Sequence, residues 1–241
     1  MLPRIKGEIP NSITCLNLLC GCLAIMFAFR ADRVGCMEGY QWSFLFIGLA
    51  AIFDFCDGAM ARLIHAYSLV GKELDSLSDL VSFGVAPTML MFNTMDWALT
   101  DNPGLRMLPY LTLMIAICGA IRLARFNVDT RQASEFIGLP IPANAIFWIG
   151  AVSWLHHHEL PGIMSVYLIP VIVGVSLMMV APMHLFSLKF KNFSLRDNWY
   201  RFLLVIAAVA LVALFGLEGL ALLIVFYIVL AYIVNVAITR K

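Results

Sequence analysis

The chain has 241 residues, 62% of them hydrophobic and only 13% charged, with a net charge of +1 and a mean hydropathy of +0.90. A soluble domain carries about 45–50% apolar and about 25% charged residues, so this composition excludes an ordinary globule and predicts an all-α polytopic membrane protein. The near-zero net charge argues against an acidic or basic tail and against nucleic acid as a partner.

Apolar runs of about 20 residues predict about eight transmembrane helices, at 12–29, 41–64, 76–95, 107–126, 140–157, 163–181, 200–217 and 219–237. With the N-terminus inside, Arg4, Lys6, Arg62, Lys72, Arg122, Arg125, Arg131, Lys189, Lys191, Arg196, Arg201, Arg240 and Lys241 fall in cytoplasmic segments. Only Arg30, Arg33 and Arg106 fall outside. The excess of basic residues on one side puts both termini in the cytoplasm. No internal repeat and no long linker appears, so one membrane-embedded domain is expected over 1–241. The six cysteines lie mostly within apolar runs and read as buried free thiols. His156, His157 and His158 fan around the outer end of the fifth span and read as a solvated terminus.

The segment 54–79 carries the chemistry. Asp54 and Asp57 are three apart near the end of an apolar helix, and Asp75 and Asp79 are four apart at the start of the next, so each pair shares a face. A short turn around Tyr67–Gly71 makes the helices antiparallel neighbours, and the four carboxylates can converge. Asp54 follows Trp42 by about 18 Å of helix rise, which buries it below the cytoplasmic surface. An ionised Asp at a helix centre costs about 2.5–3.5 kcal/mol on insertion scales, and Arg62 and Lys72 are the only cations in the segment. A pair of divalent ions, Mg²⁺ or Mn²⁺, would neutralise such a cluster. Gly58 and Ala61 lie on or beside the face of Asp54 and leave room for a bulky group.

The residues Asp54-Phe-Cys-Asp57-Gly58-Ala-Met-Ala61-Arg62, then Gly71, Asp75 and Asp79, match every fixed position of the signature of the CDP-alcohol phosphatidyltransferases, and the chain resembles that family. Further stretches resemble the bacterial members that use L-serine: Ile9–Asn17, Asp75–Pro87, Arg122–Asn127 and Leu139–Ala145. The resemblance covers about the first 150 residues, which would hold the catalytic core, with 160–241 supplying additional helices matched only in hydrophobicity.

The resemblance implies that Asp54, Asp57 and Asp75 ligate two metal ions, with Asp79 completing the site and acting as general base. Gly58, Ala61 and Arg62 would line the pocket of CDP-diacylglycerol, with Gly71 letting the chain turn close to it. Asn11 and Thr14 would reach the nucleotide, although a helix N-cap after Pro10 is an equal reading of Asn11. The implied reaction transfers a phosphatidyl group to the serine hydroxyl and releases CMP. Arg122 and Arg125, three apart on one helix face, are candidates for the serine carboxylate, and Asn127, Glu135 and Asn144 for its ammonium. A homodimer in the bacterial inner membrane, with its active site facing the cytoplasm and in contact with membrane lipids, is also implied.

Two alternatives stand beside this reading. Another acceptor, such as glycerol 3-phosphate, inositol phosphate or choline, keeps the family. A cation or proton transporter would instead place acids at the midplane of two related halves.

Overall fold

The computed structural model describes residues 2–30, 32–66, 68–99, 102–128, 136–158, 162–186 and 195–239. These are mostly helical: α1 (Leu2–Ala28), α2 (Gly39–Leu63), α3 (Leu69–Asp79), α4 (Ala86–Ala98), α5 (Leu113–Val128), α6 (Ile141–His157), α7 (Leu168–Val180), α8 (Leu195–Phe215) and α9 (Gly219–Thr239). A two-residue antiparallel ladder pairs β1 (Phe136–Ile137) with β2 (His184–Leu185).

Each expected span falls on helix. Four stretches of the described chain are long and apolar enough to cross a membrane: Glu8–Ala28, Gly39–Leu63, Pro103–Val128 and Asn198–Asn235. The last is 38 residues long and contains most of α8 and most of α9. The third expected span is a composite rod, in which α3 passes through a π-helical turn at Leu80–Val85 into α4.

Side chains are distributed as in a protein solvated by lipid. Phe55, Leu69, Trp97 and Leu214 are exposed, whereas Asn17, Ser43, Ser78, Ser82, Thr88 and Asn144 are fully buried. Buried hydroxyls and amides tie helices together where apolar contact alone gives little preference over lipid. Of the six cysteines only Cys20 and Cys118 are buried. Cys15, Cys22, Cys36 and Cys56 are exposed, which corrects the expectation of buried thiols: on a helix wrapped by lipid an outward cysteine is still in apolar surroundings. All six are free.

α1 and α2 pack as an antiparallel hairpin. The end of the hairpin at its connection is closed by the stacked rings of Phe27, Trp42 and Phe46, with Phe27 5.7 Å from Trp42 and 5.4 Å from Phe46, and Trp42 Nε1 donates to Val34 O at 2.9 Å. The α3–α4 rod runs parallel to α1 and is stitched to it at three levels. Ser78 Oγ donates to Thr14 O at 3.3 Å, Ser82 Oγ to Asn17 O at 3.0 Å, and Asn93 Nδ2 to Ala28 O at 2.8 Å. Gly21 makes the middle contact possible, since a Cβ there would lie 2.4 Å from Ser82 Oγ and 2.9 Å from its Cα.

Of the three consecutive histidines, His157 and His158 are exposed, as expected, and His156 is half-buried. His156 stacks on Tyr40 with ring centroids 3.9 Å apart, and His157 Nδ1 lies 2.6 Å from Glu218 Oε1. These contacts join the ends of α2, α6 and the turn before α9.

Candidate active site

The acids converge. Asp54 and Asp57 project from the C-terminal part of α2 and Asp75 from α3, and one ligand oxygen from each lies within 4.8 Å of the others. Asp57 is buried and Asp54 and Asp75 are half-buried. Asp79, the last residue of α3 before the π turn, is within electrostatic reach of all three. The helical register explains the gathering: Asp54 and Asp57 lie one turn apart, as do Asp75 and Asp79, and the two faces meet against α1.

α2 and α3 both pack on α1 rather than closely on each other, and the turn between them is built differently from the expected one. α2 ends at Leu63, and His65 takes the left-handed conformation at φ +52°. Ser68 then caps α3, accepting the Gly71 N–H at 2.9 Å. Gly71 therefore lies in the first turn of α3, and its missing side chain admits a neighbour. A Cβ there would sit 2.9 Å from Asn11 Oδ1 and from Ser68 Oγ. Tyr67 lies outside the described residues.

α1 lays a polar stripe along the acids. Asn11 is half-buried in the interior of α1, which begins at Leu2, so the N-cap alternative for Asn11 falls away. Thr14 Oγ1 donates to Asp57 Oδ2 at 2.6 Å, which makes the acid its direct partner. One turn further, Asn17 Nδ2 donates to Asp79 Oδ1 at 3.3 Å. Asn17 received no role from the sequence, although its place in the series Asn11, Thr14, Asn17, three apart on an apolar helix, was the available signal.

Arg62 is exposed at the end of α2, with Nη1 3.5 Å from where a Gly58 Cβ would stand, and so it arches over Gly58 one turn back. Ala61 is half-buried beside it. Two small positions, Gly58 and Ala61, thus follow the acids of α2 where Arg62 supplies positive charge.

The basic end of α5 divides into separate roles. Arg122 is 7% exposed, packs its guanidinium over Phe126 at 5.6 Å, and keeps a buried Nε without a hydrogen-bond partner among the described residues. It is within electrostatic reach of Asp79 and of Tyr227 on α9. Arg125 points elsewhere: it is exposed and donates to Val180 O at 2.9 Å, tying α5 to the last turn of α7. Asn127 Nδ2 donates to Ser76 Oγ at 2.9 Å and its carbonyl accepts from Lys72 Nζ at 3.1 Å, so it clasps α5 to α3. Asn144 is fully buried, and its Oδ1 accepts from Trp148 Nε1 at 2.9 Å. Glu135, Arg131, Lys189 and Lys191 lie outside the described residues.

The donor set fits hard divalent cations. Three carboxylates offer oxygen ligands at one point, and Asp75 Oδ1 is buried with no hydrogen-bond partner among the described residues.

Comparison with known proteins bears on this geometry. Residues 8–186 match the family model described as CDP-alcohol phosphatidyltransferase. A CDP-diacylglycerol–serine O-phosphatidyltransferase of Bacillus subtilis is 41% identical over 134 residues, covering 56% of this chain and 69% of that protein. The protein of the same description from Methanocaldococcus jannaschii is 36% identical over 158 residues, 66% of this chain and 67% of the relative. That of Helicobacter pylori is 30% identical over 226 residues, 91% of this chain and 87% of the relative.

Proposed function

The chain belongs to the CDP-alcohol phosphatidyltransferase family, and we propose that it transfers the phosphatidyl group of CDP-diacylglycerol to the hydroxyl of L-serine, releasing CMP and leaving phosphatidylserine. The convergence of Asp54, Asp57 and Asp75 within 4.8 Å carries the reaction class. The choice of serine follows the relatives, one of which aligns over nine-tenths of the chain.

In this reading Asp54, Asp57 and Asp75 hold the divalent cation site, for Mg²⁺ or Mn²⁺, with Asp79 completing a two-ion arrangement. When bound, the ions supply Lewis-acid polarisation of the diphosphate and offset the charge of departing CMP. The remaining work falls to side chains of the protein. Asp79 accepts the proton of the serine hydroxyl as that oxygen forms its bond to the phosphorus next to diacylglycerol. Asn17 fixes Asp79 by its hydrogen bond to Oδ1, and Thr14 fixes Asp57 in the same way.

Arg62 pairs with the diphosphate, while Gly58 and Ala61 leave space for the nucleotide beside α2 and Gly71 lets Asn11 stand against α3. Arg122, buried and with an unpaired donor, is the residue for the serine carboxylate. Arg125 and Asn127 support it by holding α5 against α7 and α3.

The same reading gives the chain eight membrane crossings, both termini in the cytoplasm and its acids at the cytoplasmic rim of the bacterial inner membrane, where a lipid donor keeps its acyl tails among the helices. Residues 1–150 hold the catalytic core and 160–241 add helices around it, in a homodimer.

The test is CMP release by purified protein with CDP-diacylglycerol and Mg²⁺ or Mn²⁺, comparing L-serine, glycerol 3-phosphate, inositol phosphate, choline and no acceptor. Serine-dependent release is the expected result. Release driven by another acceptor discards serine and keeps the family reaction. No release with any acceptor, from folded and metal-supplemented protein, discards the transferase reading.

A further inference from the structure

Asn17 sits fully buried in α1, beside the carboxylate assigned to receive the acceptor proton. Its backbone is pinned by Ser82 Oγ, which donates to Asn17 O at 3.0 Å. Its side-chain orientation is set by charge. A carboxylate accepts hydrogen bonds, so the amide turns its Nδ2 toward Asp79 Oδ1. The carbonyl oxygen Oδ1 is then left buried and without any hydrogen-bond partner among the described residues.

Buried polar atoms without partners are few in native proteins and each calls for a reason. The others described here are Ser43 Oγ, Asp75 Oδ1, Arg122 Nε, Asn144 Nδ2 and Ser176 Oγ. Two of the buried acceptors belong to the acidic site, Asp75 Oδ1 and Asn17 Oδ1. Asp75 stands within the carboxylate trio and faces the cation site. Asn17 Oδ1 is uncharged, which suits it to a donor from the organic acceptor.

We infer that Asn17 Oδ1 accepts a hydrogen bond from the ammonium of the amino-acid acceptor, making Asn17 a specificity-determining residue of the transfer. The dimensions agree. The two heteroatoms of one carboxamide are about 2.2 Å apart by standard bond lengths, and Nδ2 is already 3.3 Å from Asp79 Oδ1. A hydroxyl and an amino group on adjacent carbons, about 3 Å apart when gauche, can reach the two side chains together. Each polar group of serine then meets a complementary one: hydroxyl at Asp79, ammonium at Asn17 and carboxylate at Arg122. The sequence stretch Ile9–Asn17 thereby supplies both sides of the transfer, with Thr14 on the metal-binding acid and Asn17 on the acceptor.

This inference rests on serine as the acceptor, so the experiment separates the two. Acceptor kinetics are measured at saturating CDP-diacylglycerol for wild type, Asn17→Ala and Asn17→Leu, using L-serine and 3-hydroxypropanoate, which keeps the hydroxyl and carboxylate and lacks the amino group. In wild type serine is strongly preferred. In the variants the KM for serine rises about ten- to hundredfold, the range of a hydrogen bond to a charged group. The preference over 3-hydroxypropanoate shrinks by the same factor, and the KM for CDP-diacylglycerol stays within about twofold.

Activity that falls equally with both acceptors, leaving the preference intact, overturns the inference and leaves Asn17 as a support for Asp79 alone. Should the alanine and leucine proteins fail to fold, Asn17→Ser, smaller and with a hydroxyl in place, is read by the same ratio. A wild-type enzyme that does not use serine removes the premise, which the variants play no part in deciding.

Discussion

Two antiparallel hairpins in this chain, α1–α2 and α8–α9, are both long and apolar, the second the more apolar, and they differ in what their buried faces hold. Between α1 and α2 lie the Thr14–Asp57 hydrogen bond and the rings of Phe27, Trp42 and Phe46. Both helices also present polar side chains toward α3. In the second hairpin α9 buries Ile224, Tyr227, Leu230, Ala231 and Val234, while α8 turns Val205, Ile206, Val209, Leu214 and Phe215 outward. An apolar side chain gains little by exchanging lipid for another helix. Hydrophobicity therefore keeps a segment in the bilayer, and the polar ties decide where it stands. The first hairpin has to place atoms to within tenths of an ångström; the second is tied through Tyr227, whose hydroxyl donates to Phe186 O at 2.9 Å, and otherwise buries mostly apolar side chains.

The comparison can be broken most directly at the acids. Chelation with EDTA is expected to reduce CMP release to background, with full recovery on adding Mg²⁺ or Mn²⁺. Asp79→Asn is expected to lower kcat by about 10²- to 10⁴-fold, the range of general base catalysis, with the helical circular dichroism unchanged. Activity that survives exhaustive chelation would falsify the carboxylate reading. A smaller effect is expected one contact away. Thr14→Val keeps the size of the side chain and deletes the 2.6 Å bond to Asp57, which should cost about tenfold or more in CMP release and raise the divalent-cation concentration needed for half activity. An unchanged cation requirement would detach Thr14 from the site. The smallest effect belongs to the second hairpin. Leu214→Ala, on an outward face of α8, should shift stability in detergent by no more than about 0.5 kcal/mol and leave the rate alone. A large loss of thermal stability there would show that α8 has a protein neighbour on that face.

How far the sequence carried differs between these regions for the same physical reason. Carboxylates in an apolar run are costly enough that their spacing, Asp54 with Asp57 and Asp75 with Asp79, announces a site, and Asp54, Asp57 and Asp75 do converge. The polar stripe on α1 was half legible. Asn11 and Thr14 stood out beside Pro10, whereas Asn17 looked like one more small polar residue until its partner Asp79, 62 positions away, was known. Arg122 and Arg125 were indistinguishable as neighbours on one face. They separate only when α7 is seen to present the Val180 carbonyl to one and leave the other buried over Phe126. In the turn before α3 the glycine suggests the bend, whereas His65 adopts the left-handed backbone and Gly71 serves a close approach. For α8 and α9 an apolar run identifies helices and says nothing of which face they turn inward.

The π turn at Leu80–Val85 has a consequence for how the chain tolerates changes of length. A π turn holds one residue more than the α turns on either side, so it behaves as an insertion absorbed within a continuous rod. Below it, Asp75 and Asp79 keep their bearing on the acids; above it, Leu90, Met91 and Met95 keep theirs in the core. Deleting one residue within this turn would be taken up by its tightening to an α turn, whereas deleting one from α3 or α4 would swing the upper half by about 100°, carrying those side chains out of the core. Loops elsewhere on the molecule can lose or gain residues piecemeal. Along this rod the count of residues is itself the information that keeps catalytic chemistry and membrane packing in phase.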